Sequence, residues 1–324
     1  MCTAVSFLRG AHYFGRTLDL EYSYEETVTV TPRNFPVSFR SGLTLNNHYA
    51  LIGVAHVEDG YPLYYDAVNE KGLGMAGLNF PVSAKYRARV ADRDNITPFE
   101  LILWVLGRCA GLSEARRLLE RVNLTDEDFS DTLPLTPLHW LVADRSGALV
   151  VESTADGLHL YENPIGVLTN EPPFPTQMWN LSQHMGLSCQ PAVNRLAPQV
   201  KLHPVSRGMG AVGLPGDLSS ASRFVRAAFV GCNSVCEEEE GAQVSQFFHI
   251  LGSVQQPQGC VRLETGASVR TVYTSCCNTD TGVFYYRTYG GSHIRAVDLR
   301  REDPDGKRLS VYPMREDWAP VLQN

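Results

Sequence analysis

The residue best placed to do chemistry is the second one. The sequence begins Met1-Cys2-Thr3-Ala4-Val5-Ser6-Phe7. With Met1 removed, Cys2 carries the chain's α-amino group beside its thiol. A free α-amine titrates near ~7.7–8.0 and an ordinary thiol near ~8.5. One residue then holds a nucleophile and a nearby base at neutral pH, the N-terminal-nucleophile form of an activated side chain. A cysteine after the initiating methionine also serves as a small residue entering a first strand, and position alone does not separate the two readings.

An amidase built on Cys2 needs a group that favours the thiolate, a group that holds the α-amine, and donors for the oxyanion. Phe14-Gly15-Arg16-Thr17-Leu18-Asp19-Leu20-Glu21-Tyr22 falls on the next expected strand, antiparallel to the first across a turn at Gly10. Arg16 there would lower the thiol's pKa, and Asp19 would orient the amine. The two are an odd number of residues apart, so they face opposite sides of a regular strand. Both reach Cys2 only if the strand has ended or bulged by Asp19. The same residues also read as an ordinary charged pair at a strand end.

Other strings look like chemistry without its context. Gly72-Leu73-Gly74-Met75-Ala76-Gly77 and Gly208-Met209-Gly210-Ala211-Val212-Gly213 match G-x-G-x-x-G. A dinucleotide site needs a helix to open directly after the glycines. Leu78-Asn79-Phe80-Pro81 and Leu214-Pro215-Gly216-Asp217 do not start one. The nine histidines show no metal-ligand spacing; a triad using His139 or His249 is open, but nothing selects either. The eight cysteines form no C-x-x-C pair, so a zinc ribbon or redox dithiol is not expected.

Bulk properties narrow the class. The 324 residues carry a net charge of -7, with 44% hydrophobic and 19% charged residues. That balance fits a globular protein and argues against a nucleic-acid partner, which favours a basic patch. No apolar run approaches ~18 residues, so no membrane span is expected. Arg9, His12, Arg16 and Asp19 interrupt the start of the chain, so a secretory signal is not expected either, and the chain reads as cytoplasmic. The Asn95, Asn123 and Asn180 sequons then carry no meaning.

The elements that must position Cys2 read as sheet, helices, sheet, helices, sheet. Early strands are expected at 3–8, 12–18, 27–32, 50–56, 63–66 and 74–78, each bounded by Gly, Pro or Asn. Thr97, Pro98 and Glu100 mark a helix start before Leu101, and a second helix is expected over 113–122 with Ser113 as its cap. Strands follow at 139–144, 148–153, 159–162 and 167–168, then helices at 176–185, 219–230 and 242–251. The last strands are expected at 268–276, 283–289 and 294–298. Adjacent hairpins with grouped helices point to an α+β layered fold in one domain spanning 1–324.

At this point the residues meet a family pattern. Met1-Cys2-Thr3, with the Phe14–Tyr24 segment, resembles the choloylglycine hydrolase family, which contains bile salt hydrolases and penicillin V acylases. The resemblance continues through Gly77–Pro81, Val167–Pro172, Gly213–Asp217, Ser219–Phe224 and Ile294–Leu299. It implies the four-layer αββα N-terminal-nucleophile fold. It implies Cys2 as nucleophile, with its α-amine moving protons, and Arg16 and Asp19 as charged partners of thiol and amine. Asn170 is implied as the side-chain oxyanion donor, Asn79 as the main-chain donor, and Arg223 as the last arginine of the polar network. A homotetramer is implied, and no metal or cofactor.

The substrate is a separate question. Asn79 resembles the bile-salt branch; the acylase branch more often has tyrosine there. Leu18, Tyr22, Tyr24, Tyr61, Phe129, Leu133 and Leu135 are the candidate walls of an apolar acyl cleft, or else core and lid packing. The alternatives are hydrolysis of penicillin V or another N-acyl amide, and a catalytically inactive binding member of the fold, which retention of Met1 would favour.

Overall fold

Gly10 adopts φ +64°, a left-handed turn conformation that glycine takes without steric cost, and folds β1 (Cys2–Arg9) back on β2 (Ala11–Leu20). The register pairs Cys2 with Leu18, Thr3 with Thr17 and Ala4 with Arg16. The computed structural model describes residues 1–318, 320, 322 and 323. After the first hairpin come β3 (Thr27–Thr31), β4 (Val37–Ser38), β5 (Thr44–Leu45), β6 (Leu51–Glu58), β7 (Tyr61–Asn69), β8 (Gly74–Asn79) and β9 (Asp94–Ile96). Then follow α1 (Leu101–Arg108), α2 (Leu112–Leu119), β10 (Val122–Leu124), β11 (Leu138–Asp144), β12 (Gly147–Thr154), β13 (Gly157–Glu162) and β14 (Val167–Leu168). The rest comprises α3 (Phe174–Ser182), α4 (Ser220–Asn233), α5 (Glu240–Gly252), β15 (Arg270–Asn278), β16 (Val283–Thr288), β17 (Arg295–Asp298) and β18 (Ser310–Pro313).

Two antiparallel sheets stack face to face. The first runs β14-β1-β2-β15-β16-β17 and the second β13-β12-β11-β8-β7-β6-β3-β18. Helices α4 and α5 cover the outer face of the first sheet, with α3 against α4; α1 and α2 cover the outer face of the second. This is the expected αββα order. One apolar core lies between the sheets and under α4 and α5, including Phe14, Leu78, Val150, Phe224 and Phe247. The other lies between the second sheet and α1–α2, including Leu51, Met75, Leu103, Trp104 and Trp140.

Alternation along β2 sorts its side chains between these layers. The Phe14 ring comes so close to Gly74 on the second sheet that a Cβ there would lie 2.6 Å from it. Tyr13 instead meets Phe247 of α5, ring centroids 6.4 Å apart. Even-numbered residues of β1 and β2 therefore face the second sheet, and odd-numbered ones face the helices.

Several expected boundaries move. Helix α2 is capped at Gly111, not Ser113, and ends at Leu119, because Val122–Leu124 leaves it to pair in parallel with β9. Helix α3 opens two residues before the expected start, at Phe174, after Pro173. The first glycine string ends on β8, and the second forms a 3-10 turn at Met209–Ala211. Neither opens a helix.

His12 on β2 is 1% exposed, with Nε2 2.9 Å from the Ser6 hydroxyl and Nδ1 2.8 Å from the Thr279 hydroxyl. Burial outweighs the pull of Asp144 and Asp280 and lowers its pKa to about 4 from 6.5. The unfolded chain therefore takes up a proton below pH 6.5 that the folded chain refuses. Stability from neutral His12 is complete above pH 6.5 and is lost as pH falls toward 4, by up to about 3 kcal/mol. His12→Gln should lose less Tm than the parent between pH 7 and 4.5. The raised carboxyls Asp19 and Asp66 act with the opposite sign in both proteins and cancel in the comparison. Equal Tm losses would remove His12 from the acid response.

Candidate active site

Strand β1 begins at Cys2, so the residue's main-chain groups sit at the open end of the sheet while its side chain follows the alternation. The thiol falls on the inter-sheet face with Leu18 and Arg16, and Cys2 is 3% exposed. Arg16 is fully buried and spans to the second sheet. Its Nη1 donates to the Tyr65 and Gly77 carbonyls at 3.1 and 2.5 Å, and its Nε to the Thr17 carbonyl at 3.1 Å. Those first two carbonyls are available because β7 and β8 stop pairing at Asp66–Ala76 and diverge. The remaining Nη2 is buried without a partner.

Asp19 lies on the opposite, helix-facing side with Thr3 and Thr17. Strand β2 neither ends nor bulges before it; the extra residue, Val272, is on the β15 side of the ladder. The expectation of a broken β2 is therefore corrected. The Asp19 carboxylate accepts from the Thr271 hydroxyl at 2.6 Å and the Thr17 hydroxyl at 3.2 Å. Its main chain closes on Met1: the terminal ammonium donates to the Asp19 carbonyl at 2.6 Å, and the Asp19 N–H to the Met1 carbonyl at 2.9 Å.

Asn170 joins the two faces. Its Oδ1 accepts from the Cys2 N–H at 2.8 Å and from Arg223 Nη2 at 2.7 Å. Those donors fix the amide orientation, so Nδ2 points to the Asn79 carbonyl at 2.8 Å. Arg223, on α4, also donates from Nη1 to the Cys2 carbonyl at 2.6 Å and the Thr3 hydroxyl at 2.7 Å. The Ser219 hydroxyl caps that helix, and the Ser220 hydroxyl accepts from the Asn170 N–H at 2.8 Å. Phe80 N–H bonds the Pro137 carbonyl, so the alternation of an antiparallel ladder turns the main-chain groups of Asn79 away from β11. The Asn79 N–H therefore points into the opening between β7 and β8, on the side that Asn170 occupies.

The electrostatics follow from burial against neighbouring charge. Burial works against the Arg16 charge, but Cys2, Tyr273, Asp66 and Asp19 outweigh it and hold the guanidinium protonated more firmly than usual. Burial lowers Arg223 despite the pull of Asp19 and Cys2. Burial likewise raises the Asp19 carboxyl, against Arg223, the chain's amino terminus, the Thr271 hydroxyl and Arg16. Both arginines thus lie close enough to respond to charge on Cys2, one on each face of the sheet. Such a site can hold a thiol beside a buried guanidinium, hold an amine and donate hydrogen bonds to an oxyanion.

The candidate cleft residues divide. Leu18 is buried beside Cys2. Tyr22 and Tyr24 pack at 4.8 Å with their hydroxyls 2.7 Å apart, and Tyr24 lies 6.3 Å from His56. Tyr61 meets Phe129 at 5.8 Å, and Phe129 meets Phe99 at 5.1 Å. Leu135 and Leu133 lie in the same loop as Phe129, tied by Leu135 N–H to Asp128 at 2.6 Å and by Leu133 N–H to the Ser130 carbonyl at 3.2 Å. Among the described residues, no ring contact joins the Tyr22 group to the Tyr61 group.

Sequence reasoning missed Thr3, Thr17, Ser220, Thr271 and Glu171. The Glu171 carboxylate accepts from the N–H groups of Val82 and Ser83 at 2.9 and 2.8 Å and so ties the strap after Asn170 to the one after Asn79. For Thr3 and Thr17 a signal existed, since both lie on the Asp19 face of the expected hairpin. Among the described residues no His, Cys, Asp or Glu cluster is arranged to hold a metal ion, and no helix is long and apolar enough to cross a membrane.

Comparison with known proteins gives a consistent result. The family model for linear amide C–N hydrolases of the choloylglycine hydrolase family matches residues 2–312. A bile salt hydrolase/transferase of Lactiplantibacillus plantarum is 50% identical over 317 residues, covering 98% of both chains. One from Clostridium perfringens is 38% identical over 317 residues, covering 96% of both. Among solved structures, a mutant conjugated bile acid hydrolase from Clostridium perfringens superposes with a TM-score of 0.92 at 35% identity, covering both chains fully. The penicillin V acylase of Agrobacterium tumefaciens shares the fold, with a TM-score of 0.74 at 18% identity over 96% of this chain and 90% of that one. With a whole-length family match and relatives this similar, the chain belongs to the choloylglycine hydrolase family of linear amide C–N hydrolases.

Proposed function

We propose that this enzyme cleaves the amide bond of glycine- or taurine-conjugated bile salts through a thioester on Cys2. The observation that carries the reading is the Asn170 amide. It touches the Cys2 nitrogen, which becomes the α-amine once Met1 is gone, and it also touches Asn79, whose N–H points into the same opening. That contact set supports one site for nucleophile, proton carrier and oxyanion donors.

The steps follow from that contact set. The thiolate, beside Arg16, attacks the amide carbonyl carbon and forms a C–S bond. The oxyanion takes the Asn79 N–H and the second Nδ2 hydrogen of Asn170, the first being held by the Asn79 carbonyl. The Cys2 ammonium passes a proton to the departing nitrogen as the C–N bond breaks, leaving the thioester. Water gives a proton to the Cys2 α-amine and its hydroxide adds to the thioester carbon; the C–S bond then breaks, releasing the bile acid as its carboxylate and restoring the thiol. Asp19 and Arg223 hold the amine and the Cys2 main chain in place for both transfers.

The bile-salt reading draws on the names of the full-length relatives and on Asn79. It is tested by amine release from glycocholate, taurocholate and penicillin V side by side. Fast release from the conjugated bile salts is expected; turnover of penicillin V alone would move the substrate to the acylase branch. A single domain, a cytoplasmic location and a homotetramer belong to the same proposal. The assembly is supported by apolar side chains at the surface, Met185, Leu196, Val205 and Val212. Sedimentation should give four times the 35.9 kDa chain mass, and a monomer would remove the assembly from the proposal.

A further inference from the structure

His139 and Glu152 face each other across β11 and β12, one step beyond the Trp140–Val151 pair. Both side chains are fully buried and meet at 3.0 Å, Nδ1 to Oε1. On its other side, His139 Nε2 lies 2.8 Å from the Thr169 carbonyl. A carbonyl only accepts, so Nε2 carries a hydrogen, and the contact at Nδ1 holds one further proton, on the nitrogen or on Glu152. Glu152 also accepts from the Phe174 N–H, at 3.0 and 3.2 Å. The Phe80 ring stacks on the imidazole at 4.2 Å and 9°.

Two of these contacts touch a chain neighbour of a proposed oxyanion residue, and a third holds the far end of the segment after Asn170. Thr169 precedes Asn170, Phe80 follows Asn79, and Phe174 closes the strap that begins at Asn170. Stability alone is a poor reason for the pair. A buried His–carboxylate contact is often no more stabilising than apolar residues of the same volume, and its attested benefit is a fixed geometry. We infer that the His139–Glu152 pair is a positioning device that holds the Asn170 amide against Asn79 and so sets the oxyanion donors for the amide bond. This rests on the amidase reading above and adds two positioning residues to it.

The test is kcat and KM on glycocholate for His139→Leu and His139→Gln, with the Kd for glycocholate measured in a Cys2→Ala background. Misplaced oxyanion donors act mainly in the transition state, so His139→Leu should lower kcat by at least about tenfold with KM and Kd changed less than about threefold. His139→Gln keeps an N–H for the Thr169 carbonyl and should recover part of the loss. A folded His139→Leu with unchanged kcat overturns the inference, and so does a kcat loss matched by equal rises in KM and Kd. If His139→Leu does not unfold cooperatively, full kcat in His139→Gln overturns it. If the parent releases no amine, or Cys2→Ala still does, the amidase reading fails and the inference falls with it. If the parent is active and Cys2-dependent, a flat His139 series sinks the inference alone.

Discussion

Cys2→Ala is expected to lower kcat on conjugated bile salts by a factor on the order of 10⁴ to 10⁶, the range seen when an activated nucleophile is removed. Its fold should survive. The hydrogen bonds that Cys2 makes at the site run through its main chain: its N–H donates to Asn170 and its carbonyl accepts from Arg223. Alanine keeps both. What is lost is one sulfur from a residue 3% exposed, worth about 1 kcal/mol, or a few degrees of Tm in a chain of this size. Amine release from purified Cys2→Ala, beside a thermal melt, checks both halves. A folded variant retaining a tenth of parental turnover would falsify Cys2 as nucleophile.

That separation of chemistry from fold was partly legible in the sequence. The hairpin that places Arg16 and Asp19 near Cys2 follows from Gly10 and a strand on either side of it, and the register is as regular as the pattern suggests. The expected break in β2 was not needed. A break is required only if both partners reach Cys2 from one face. Cys2 instead starts its strand, so its thiol faces Arg16 between the sheets. Its main-chain carbonyl meets Arg223, on the Asp19 side, and its N–H meets Asn170, which reaches both faces. The parity argument was correct, and the site uses both faces.

Two of the misread elements have partners far away in sequence. Val122 fits the apolar stripe of α2, yet it leaves the helix because Asp94–Ile96 offers it a strand partner. Ser310–Pro313 was not recognised as a strand, because only its pairing with Thr27–Thr31 at the sheet edge makes it one. The His139–Glu152 pair had a partial signal, since the expected hairpin 139–144/148–153 brings the two within one residue of register; the observed pairing of Asp144 with Gly147 sets them opposite each other. Asn79 and Asn170 had no such local signal. They meet only because β8 and β14, in different sheets, end at the same place, and the family resemblance alone pointed to them.

A chain that keeps one residue ahead of Cys2 should lose turnover by roughly 10² to 10⁴, the usual contribution of a positioned acid–base group. With Met1 in place, the Cys2 nitrogen is an amide. It donates to Asn170 but has no basic lone pair to carry a proton to the departing amine or from the attacking water. The Met1 ammonium is no substitute, because it is one residue removed and already donates to the Asp19 carbonyl at 2.6 Å. A fusion that a protease trims to leave Cys2 first gives both forms from one preparation, with intact mass reporting the terminus. Trimming should switch amine release on while the thiol stays present throughout. Equal activity before and after trimming would take proton transfer away from the α-amine. A trimmed protein that binds glycocholate but releases nothing would favour the binding-member alternative over the amidase.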